Sequence, residues 1–324
     1  MFSQFPVSSF CKNQLKKMSR TIKDFVIIGF KGMAMGAADV VPGVSGGTIA
    51  FISGIYEELL TSISNVNLSL LKTLKSNGIK AAWKQVNGSF LLSLFIGVFV
   101  SIVSLAKAIK WMLENEPILL WSFFFGLVLA SVIYIAKQIA KWNVLTFIML
   151  ISGAILAYYI TTLNPLVSEN SSPLFLFLAA ALAICAMILP GISGAFILVL
   201  LGAYKPVLAA VNNREFTTIA IVGAGAITGL LTFSRVLKWL FTNYKNYTLA
   251  VLTGFIIGSL NKIWPWKETL TWRTNSHGVK VPFNQQSVSP LSFEDNQLLY
   301  ATLLAMVGFG LILLMERLAV KNKN

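Results

Sequence analysis

The sequence is poor in the residues on which most enzymes depend. One histidine, His277, stands in 324 residues, too little for a histidine-ligated metal site or a histidine-dependent triad. The two cysteines, Cys11 and Cys185, form neither a CxxC pair nor a disulfide framework. Charged residues make up 12% of the chain, about half the share in a soluble domain. Acids are the scarcer sign, 12 against 26 Lys and Arg, for a net charge of +14. Apolar residues fill the rest, 56% of the total, with a mean hydropathy of +0.74. These figures exclude a disordered chain and a soluble enzyme. In so apolar a chain the basic excess points to positive-inside loops and anionic membrane lipids, not to nucleic acid. No catalytic residue, cofactor site or metal-ligand set is legible, and the expectation is a membrane protein that is not an enzyme.

Uncharged windows long enough for a ~30 Å hydrocarbon core lie at about 89–106, 117–136, 143–163, 216–234, 246–262 and 297–315. The tail 1–24 carries Lys12, Lys16, Lys17, Arg20 and Lys23 with no apolar core before Phe25, so it does not read as a cleavable signal. Two stretches do not fit one crossing. Residues 170–204 hold no charge and would run ~52 Å as one helix, broken midway by Pro190-Gly191. Residues 25–60 repeat the design around Pro42-Gly43. Each is expected to be a re-entrant hairpin of two half-helices, about 12–17 residues apiece, meeting at an irregular loop inside the membrane.

The breaks belong to an internal repeat. PGVSGGTIAFISGIY (42–56) aligns with PGISGAFILVLLGAY (190–204) at an offset of 148. Farther on the offset is 128: Gly97, Lys107, Lys110 and Trp111 fall on Gly225, Arg235, Lys238 and Trp239, and Gly126 and Ser131 fall on Gly254 and Ser259. The first repeat is read as 25–163, with hairpin 25–60 and an extra loop at 61–88. The second is 164–324, with hairpin 173–210, a polar outside loop at 263–296 and a basic C-terminus. One hairpin and three transmembrane helices per half make an odd number of crossings, so the halves should be inverted in topology. Charge agrees. The loops then inside hold 17 Lys and Arg, those outside hold 8, and Lys31 lies within a hairpin. The fold class is therefore an all-α polytopic membrane protein with an inverted repeat and both termini cytoplasmic.

Candidate site residues gather at the breaks. Pro42, Gly43, Ser45, Gly46, Gly47 and Thr48 combine backbone freedom, hydroxyls and a helix start, the ingredients of an anion site suited to phosphate. Pro190, Gly191, Ser193 and Gly194 make a second such loop, expected to face the first near the midplane. The plainer reading of both loops is close helix packing, with Ser45 and Ser193 as caps. Asp39 precedes the first break, and its counterpart is Met187. An intramembrane carboxylate is costly, so Asp39 reads as a proton carrier or cation ligand, or else as a cap or a partner for Lys31. Glu57, with Glu58, closes that hairpin as a second coupling candidate or an interfacial charge. Lys107 and Arg235, beside Lys110–Trp111 and Lys238–Trp239, read as attractors of a lipid phosphate on opposite faces or as snorkelling anchors.

At MGAADVVPGVSGGTIAFISGIYE and CAMILPGISGAFILVLLGAY the chain resembles the bacterial polyprenyl-phosphate (undecaprenyl-phosphate) translocases, PopT, first catalogued as a domain of unknown function. The likeness spans about 25–318. It implies a flippase in the cytoplasmic membrane that returns polyprenyl phosphate from the outer to the cytoplasmic leaflet for peptidoglycan and other envelope polymers. In the second motif Ala195 and Phe196 replace Gly47 and Thr48. Two other readings stay open: an ion-coupled transporter of a small anionic solute, and a membrane polyprenyl-pyrophosphate phosphatase. The loops look similar to the PG-x-S-R-S-G loop of such phosphatases, but Gly46 and Gly194 occupy the arginine position. A homo-oligomer is a further candidate assembly.

Single cysteines test the topology, in a chain freed of Cys11 and Cys185. Those at Asn77 and Asn143 are expected to resist an impermeant outside reagent, while those at Asn115 and Ser276 react. Outside labelling at Asn77 would break the inversion argument.

Overall fold

The computed structural model describes residues 20–41, 44–163, 172–274, 280–293 and 296–321. Most of the basic tail, Cys11, Pro42, Gly43, Ser276 and His277 lie outside these residues.

The chain is mainly helical. The first half holds α1 (Ile22–Val40), α2 (Gly46–Ile52), α3 (Tyr56–Ser64), α4 (Leu68–Gln85), α5 (Gly88–Asn115), α6 (Pro117–Ala136) and α7 (Val144–Thr162). The second holds α8 (Pro173–Ile188), α9 (Gly194–Leu200), α10 (Tyr204–Asn212), α11 (Phe216–Asn243), α12 (Lys245–Ser259) and α13 (Leu298–Lys321). Between α12 and α13 run an antiparallel pair, β1 (Lys267–Thr274) and β2 (Lys280–Ser287). Helices α5, α6, α7 and α11 are long and apolar enough to cross a bilayer. Their exposed faces carry residues such as Phe95, Phe99, Ile151, Ile155 and Ile227, as a lipid-facing surface requires.

Three expectations need correction. The stretch 61–88 is not a loop, because α4 fills most of it. Asn67 caps that helix through its side chain, and Gly78 bends it at φ 78°. The second arm of each hairpin is not one half-helix but two short ones, α2 with α3 and α9 with α10; the second pair bends by 108°. Both arms break at the same repeat position, where Gly54 and Gly202 take φ 73°. Each break closes by the same helix-end pattern: Ile55 N bonds to Ala50 O at 3.0 Å and Ala203 N to Leu198 O at 2.9 Å. Finally, 263–296 contains the β-ribbon, which adds a small sheet to an otherwise helical fold. Leu270 with Trp272 and Val281 with Phe283 alternate as strand residues do, and Pro282 interrupts the pattern.

The packing repeats with the sequence. Helix α1 packs on α5, and α8 on α11; α6 packs on α13, and α7 on α12. Exchanging the halves maps each of these pairs onto another. Glycines make the pairs close. A Cβ added at Gly97 would lie 2.0 Å from Gly29 O, and one at Gly225 would lie 2.2 Å from Phe177 O. Gly29 and Phe177 are themselves repeat partners. Gly126 likewise abuts Ala305 O on α13, and Gly254 abuts Leu150 O on α7. Small residues at such seams let backbones approach where lipid supplies no hydrophobic drive.

Polar contacts collect at two faces. At one, Arg20 grips Glu58 through both guanidinium nitrogens at 2.8 and 2.7 Å, and Asn87 adds a third bond to the same carboxylate. At the other, Gln297 reaches Glu116, and Trp266 donates to Asn296 O. These are called the N-terminal face and the β-ribbon face below.

Gly97→Ala and Gly225→Ala should each destabilise by about 1–3 kcal/mol, since a backbone carbonyl cannot yield to the new methyl. Gly223→Ala, where nothing lies within 4 Å, should be tolerated. Thermal unfolding of the purified chain in detergent checks the contrast.

Candidate functional site

The two glycine loops touch. Ser45 Oγ lies 3.2 Å from Met187 O and 3.3 Å from Leu189 O, and the Tyr56 hydroxyl donates to Ile188 O at 3.1 Å. In return Gly191 N donates to Thr48 Oγ1 at 3.0 Å. A Cβ at Gly47 would meet Ile188 O at 2.6 Å, so this position holds glycine because the other loop's backbone occupies the space. Ser45, Gly47, Thr48 and Gly191 thus form one contact, with Ser193 and Gly194 beside it at the start of α9. Tyr56, a repeat match of Tyr204, was not singled out from sequence although its place in the motif was visible.

Asp39 enters this contact from α1. Its Oδ1 accepts from Gly46 N at 2.7 Å, and Ser45 Oγ accepts from Gly47 N at 3.1 Å. The first amides of α2 are therefore satisfied from within the chain. The carboxylate expected to repel a phosphate stands where an anion would bind. Lys31, eight residues earlier on α1, does not meet Asp39; its Nζ donates to Ser53 O at 2.6 Å, beyond the last turn of α2. Helix α2 runs antiparallel to α1 between these two charges, negative at its N-terminus and positive at its C-terminus, as its dipole favours.

The second loop keeps the geometry without the charges. A Cβ at Gly46 would strike the Asp39 carboxylate at 2.5 Å, and one at Gly194 would lie 3.0 Å from Met187 Cβ. Met187 is the repeat partner of Asp39, and Ala179 is that of Lys31. Ser193 makes no side-chain cap to α9.

The remaining candidates sit at the faces. Glu57 pairs with Lys245 at 2.6 Å, with both side chains about half exposed. Arg235 donates to Val66 O at 2.9 Å, and Lys238 reaches Ser64 Oγ at 3.2 Å. They line an open cleft of about 360 Å³ at the N-terminal face with Asn65, Asn67 and Thr242. Asn65 matches Asn213 at the offset of 148, each capping the C-terminus of its helix, whereas Asn67 falls on Glu215. Phe51, Tyr56 and Phe241 form a cluster of tilted and edge-on rings with centroids 4.9 to 6.1 Å apart. Lys107 is exposed on α5, and Lys110 lies 3.8 Å from Glu114. The faces differ: α3 packs against α11, whereas α10 makes no comparable contact with α5 among the described residues. No group of three His, Cys, Asp or Glu suited to a metal ion occurs among them either.

Residues 35–281, which include both loops, match the VCA0040-like family, described as undecaprenyl phosphate translocase-like. The chain belongs to this family. Over 296 residues it is 51% identical to a polyprenyl-phosphate transporter of Vibrio cholerae serotype O1, covering 90% of this chain and 96% of that protein. A Staphylococcus aureus protein of the same name is 31% identical over 252 residues, 72% of this chain and 84% of its own. No solved structure matches the chain.

Removing the Asp39 acceptor should cost stability. Asp39→Ala leaves Gly46 N–H without its partner and should lose about 1–3 kcal/mol. Asp39→Asn keeps an acceptor oxygen and should lose distinctly less. Thermal unfolding of the two variants side by side measures the difference.

Proposed function

We propose that this chain is a transporter of polyprenyl phosphate that carries the lipid phosphate from the outer to the cytoplasmic leaflet through the contact between its two glycine loops. The relatives' shared name supplies the substrate class. The observation that carries the mechanism is the Asp39 carboxylate on Gly46 N, because an anion already held there marks a place where another can be held. The hairpins act as re-entrant elements of two inverted halves in the bacterial cytoplasmic membrane, with the termini inside.

In this reading the phosphate and Asp39 compete. Protonation of Asp39 removes its charge and frees the α2 amides, while Ser45 and Thr48 turn their hydroxyls to the incoming phosphate. The second loop, with Met187 in place of the carboxylate, offers its amides without a competitor. The prenyl tail stays in lipid, so only the headgroup needs the polar path. Moving an anion inward opposes an inside-negative potential by ~2.3 kcal/mol per charge per 100 mV, and a proton taken along offsets that cost. The contact of α3 with α11 narrows the N-terminal face to the open cleft of Arg235 and Lys238, which supports a chain waiting for substrate from the β-ribbon side. Arg235 and Lys238 then receive the phosphate when that face opens, and Lys107 draws lipid from the opposite leaflet. The pair Glu57–Lys245 acts in this reading as part of the closure, not as the coupling group.

Reconstitution tests the reading. A labelled polyprenyl phosphate should exchange between leaflets of proteoliposomes, faster with the lumen more alkaline or more acidic according to the orientation of the chain. Gly194→Val and Gly46→Val should abolish exchange. Asp39→Asn should retain lipid binding and downhill exchange but lose the response to pH. Arg235→Gln should weaken apparent affinity by roughly tenfold. Release of phosphate from the lipid, or uptake of a soluble anion without lipid exchange, would overturn the proposal.

A further inference from the structure

Two lysines at the β-ribbon face have no role so far. Lys262 lies on the single 3₁₀ turn after α12 (Leu260–Ile263), and Lys267 opens β1. Both are partly buried. Lys267 Nζ stands 4.1 Å from the ring centroid of Trp121 on α6, and Lys262 Nζ stands 4.5 Å from that of Phe196 on α9. Lys267 also donates to the Lys262 carbonyl, so the two belong to one cluster. Among the described residues neither has a carboxylate partner within ion-pair distance.

Cations held together beneath aromatic rings without a counter-ion are poorly solvated, and the ring faces offset only part of that cost. Such a cluster is unfavourable in isolation and favourable around a ligand that brings two negative charges. Its position fits the path. Phe196 is on the first turn of α9, two residues after Gly194. Gly191 packs on Ser259, three residues before Lys262; a Cβ at Gly191 would lie 2.8 Å from Ser259 Oγ. The lysines therefore border the second glycine loop on its β-ribbon side.

We infer that Lys262 and Lys267 form a capture site for a phosphomonoester headgroup, in which the two ammonium groups pair with the phosphate oxygens and Trp121 and Phe196 cover the first carbons of the attached chain. The lipid identity of the headgroup rests on the transport reading above; the anion chemistry does not. Burial, with the Lys262 charge adjacent, lowers Lys267 to about 7. Among the described residues the groups facing it are Lys262 from the turn, Trp121 from α6 and, in register across the ribbon, Ser287. Glu268 follows it in the strand and points to the other face, exposed. A bound anion favours the charged amine, so binding takes up a proton. Affinity should rise as pH falls from about 8.5 to about 7, a range in which a phosphomonoester of pKa about 6 keeps its second charge.

The test uses the full-length chain in lipid nanodiscs with two probes, farnesyl phosphate and inorganic phosphate. Amine acylation at neutral pH, read by mass spectrometry, follows Lys267, with exposed Lys72 as the internal reference. Both probes should protect Lys267, farnesyl phosphate at the lower concentration. Lys262→Gln should weaken both affinities roughly tenfold, while Lys262→Arg, which keeps the charge and leaves Lys267 as the reporter, should preserve them. No protection by either probe, or wild-type affinity in Lys262→Gln, overturns the site. Protection by inorganic phosphate alone retains the anion site and overturns its assignment to a lipid headgroup. Wild-type leaflet exchange and affinity in the Lys262→Gln/Lys267→Gln chain would leave the transport reading intact and remove the capture site.

Discussion

The seven-residue helix α2, held at both ends by charges from α1, is the interaction on which the centre of the molecule depends. So short a helix does not persist alone, because its nucleus costs more than its few bonds return. Asp39 accepts from the first amide and Lys31 donates beyond the last turn, so each charge meets the end of the dipole that suits it. Each also escapes the cost of standing unpaired in an apolar interior. Fixed in this way, α2 presents Ser45, Gly47 and Thr48 to the second loop, and the chain beyond Gly54 delivers Tyr56 to Ile188.

The second repeat copies the backbone and omits the charges. Ala179 and Met187 replace Lys31 and Asp39, while Gly194 approaches the α8 backbone as Gly46 approaches the α1 carboxylate. One half of the centre is thus pinned electrostatically and the other by packing alone. The asymmetry extends to the faces, where α3 meets α11 through Lys238 and Arg235 and α10 has no matching contact with α5 among the described residues. A pseudo-symmetric sequence here yields two chemically different halves, with the short helix after the break held between Asp39 and Lys31 in the first and without either charge in the second.

Much of this was legible from the residues. Apolar run length located four helices long and apolar enough to cross a bilayer, while 246–262 and 297–315 yield a 15-residue helix and a shorter apolar stretch; of the glycines matched at an offset of 128, Gly97 and Gly225 prove to be seam residues against Gly29 and Phe177. The two loops meet through the hydrogen bonds of Ser45, Tyr56 and Thr48. What escaped the sequence depends on tertiary neighbours. The reach of Asp39 to Gly46 is seven residues long and resembles no local capping signature, so a packed interior was needed to reveal it. The α4 insert was hidden because polar residues alternate with its exposed Leu71, Leu74 and Trp83, a pattern that reads as a loop when nothing covers the apolar side. Lys262 and Lys267 stood in a stretch of Trp and Pro with no repeat partner, and their cluster exists only once α6 and α9 bring up their rings.

The glycine seams have a mechanical consequence. Where a carbonyl of one helix rests where a neighbour's side chain would be, the two cannot rotate or slide without backbone collision. The pairs α1–α5, α8–α11, α6–α13 and α7–α12 therefore behave as four stiff struts, each a double rod. Shape change is left to the joints between struts, which among the described residues rest on side-chain hydrogen bonds, the ion pairs Arg20–Glu58 and Glu57–Lys245 and tilted aromatic rings, and include few of these seams. The molecule is framed like a folding chair: rigid members, compliant hinges, and a load that passes only through the hinges.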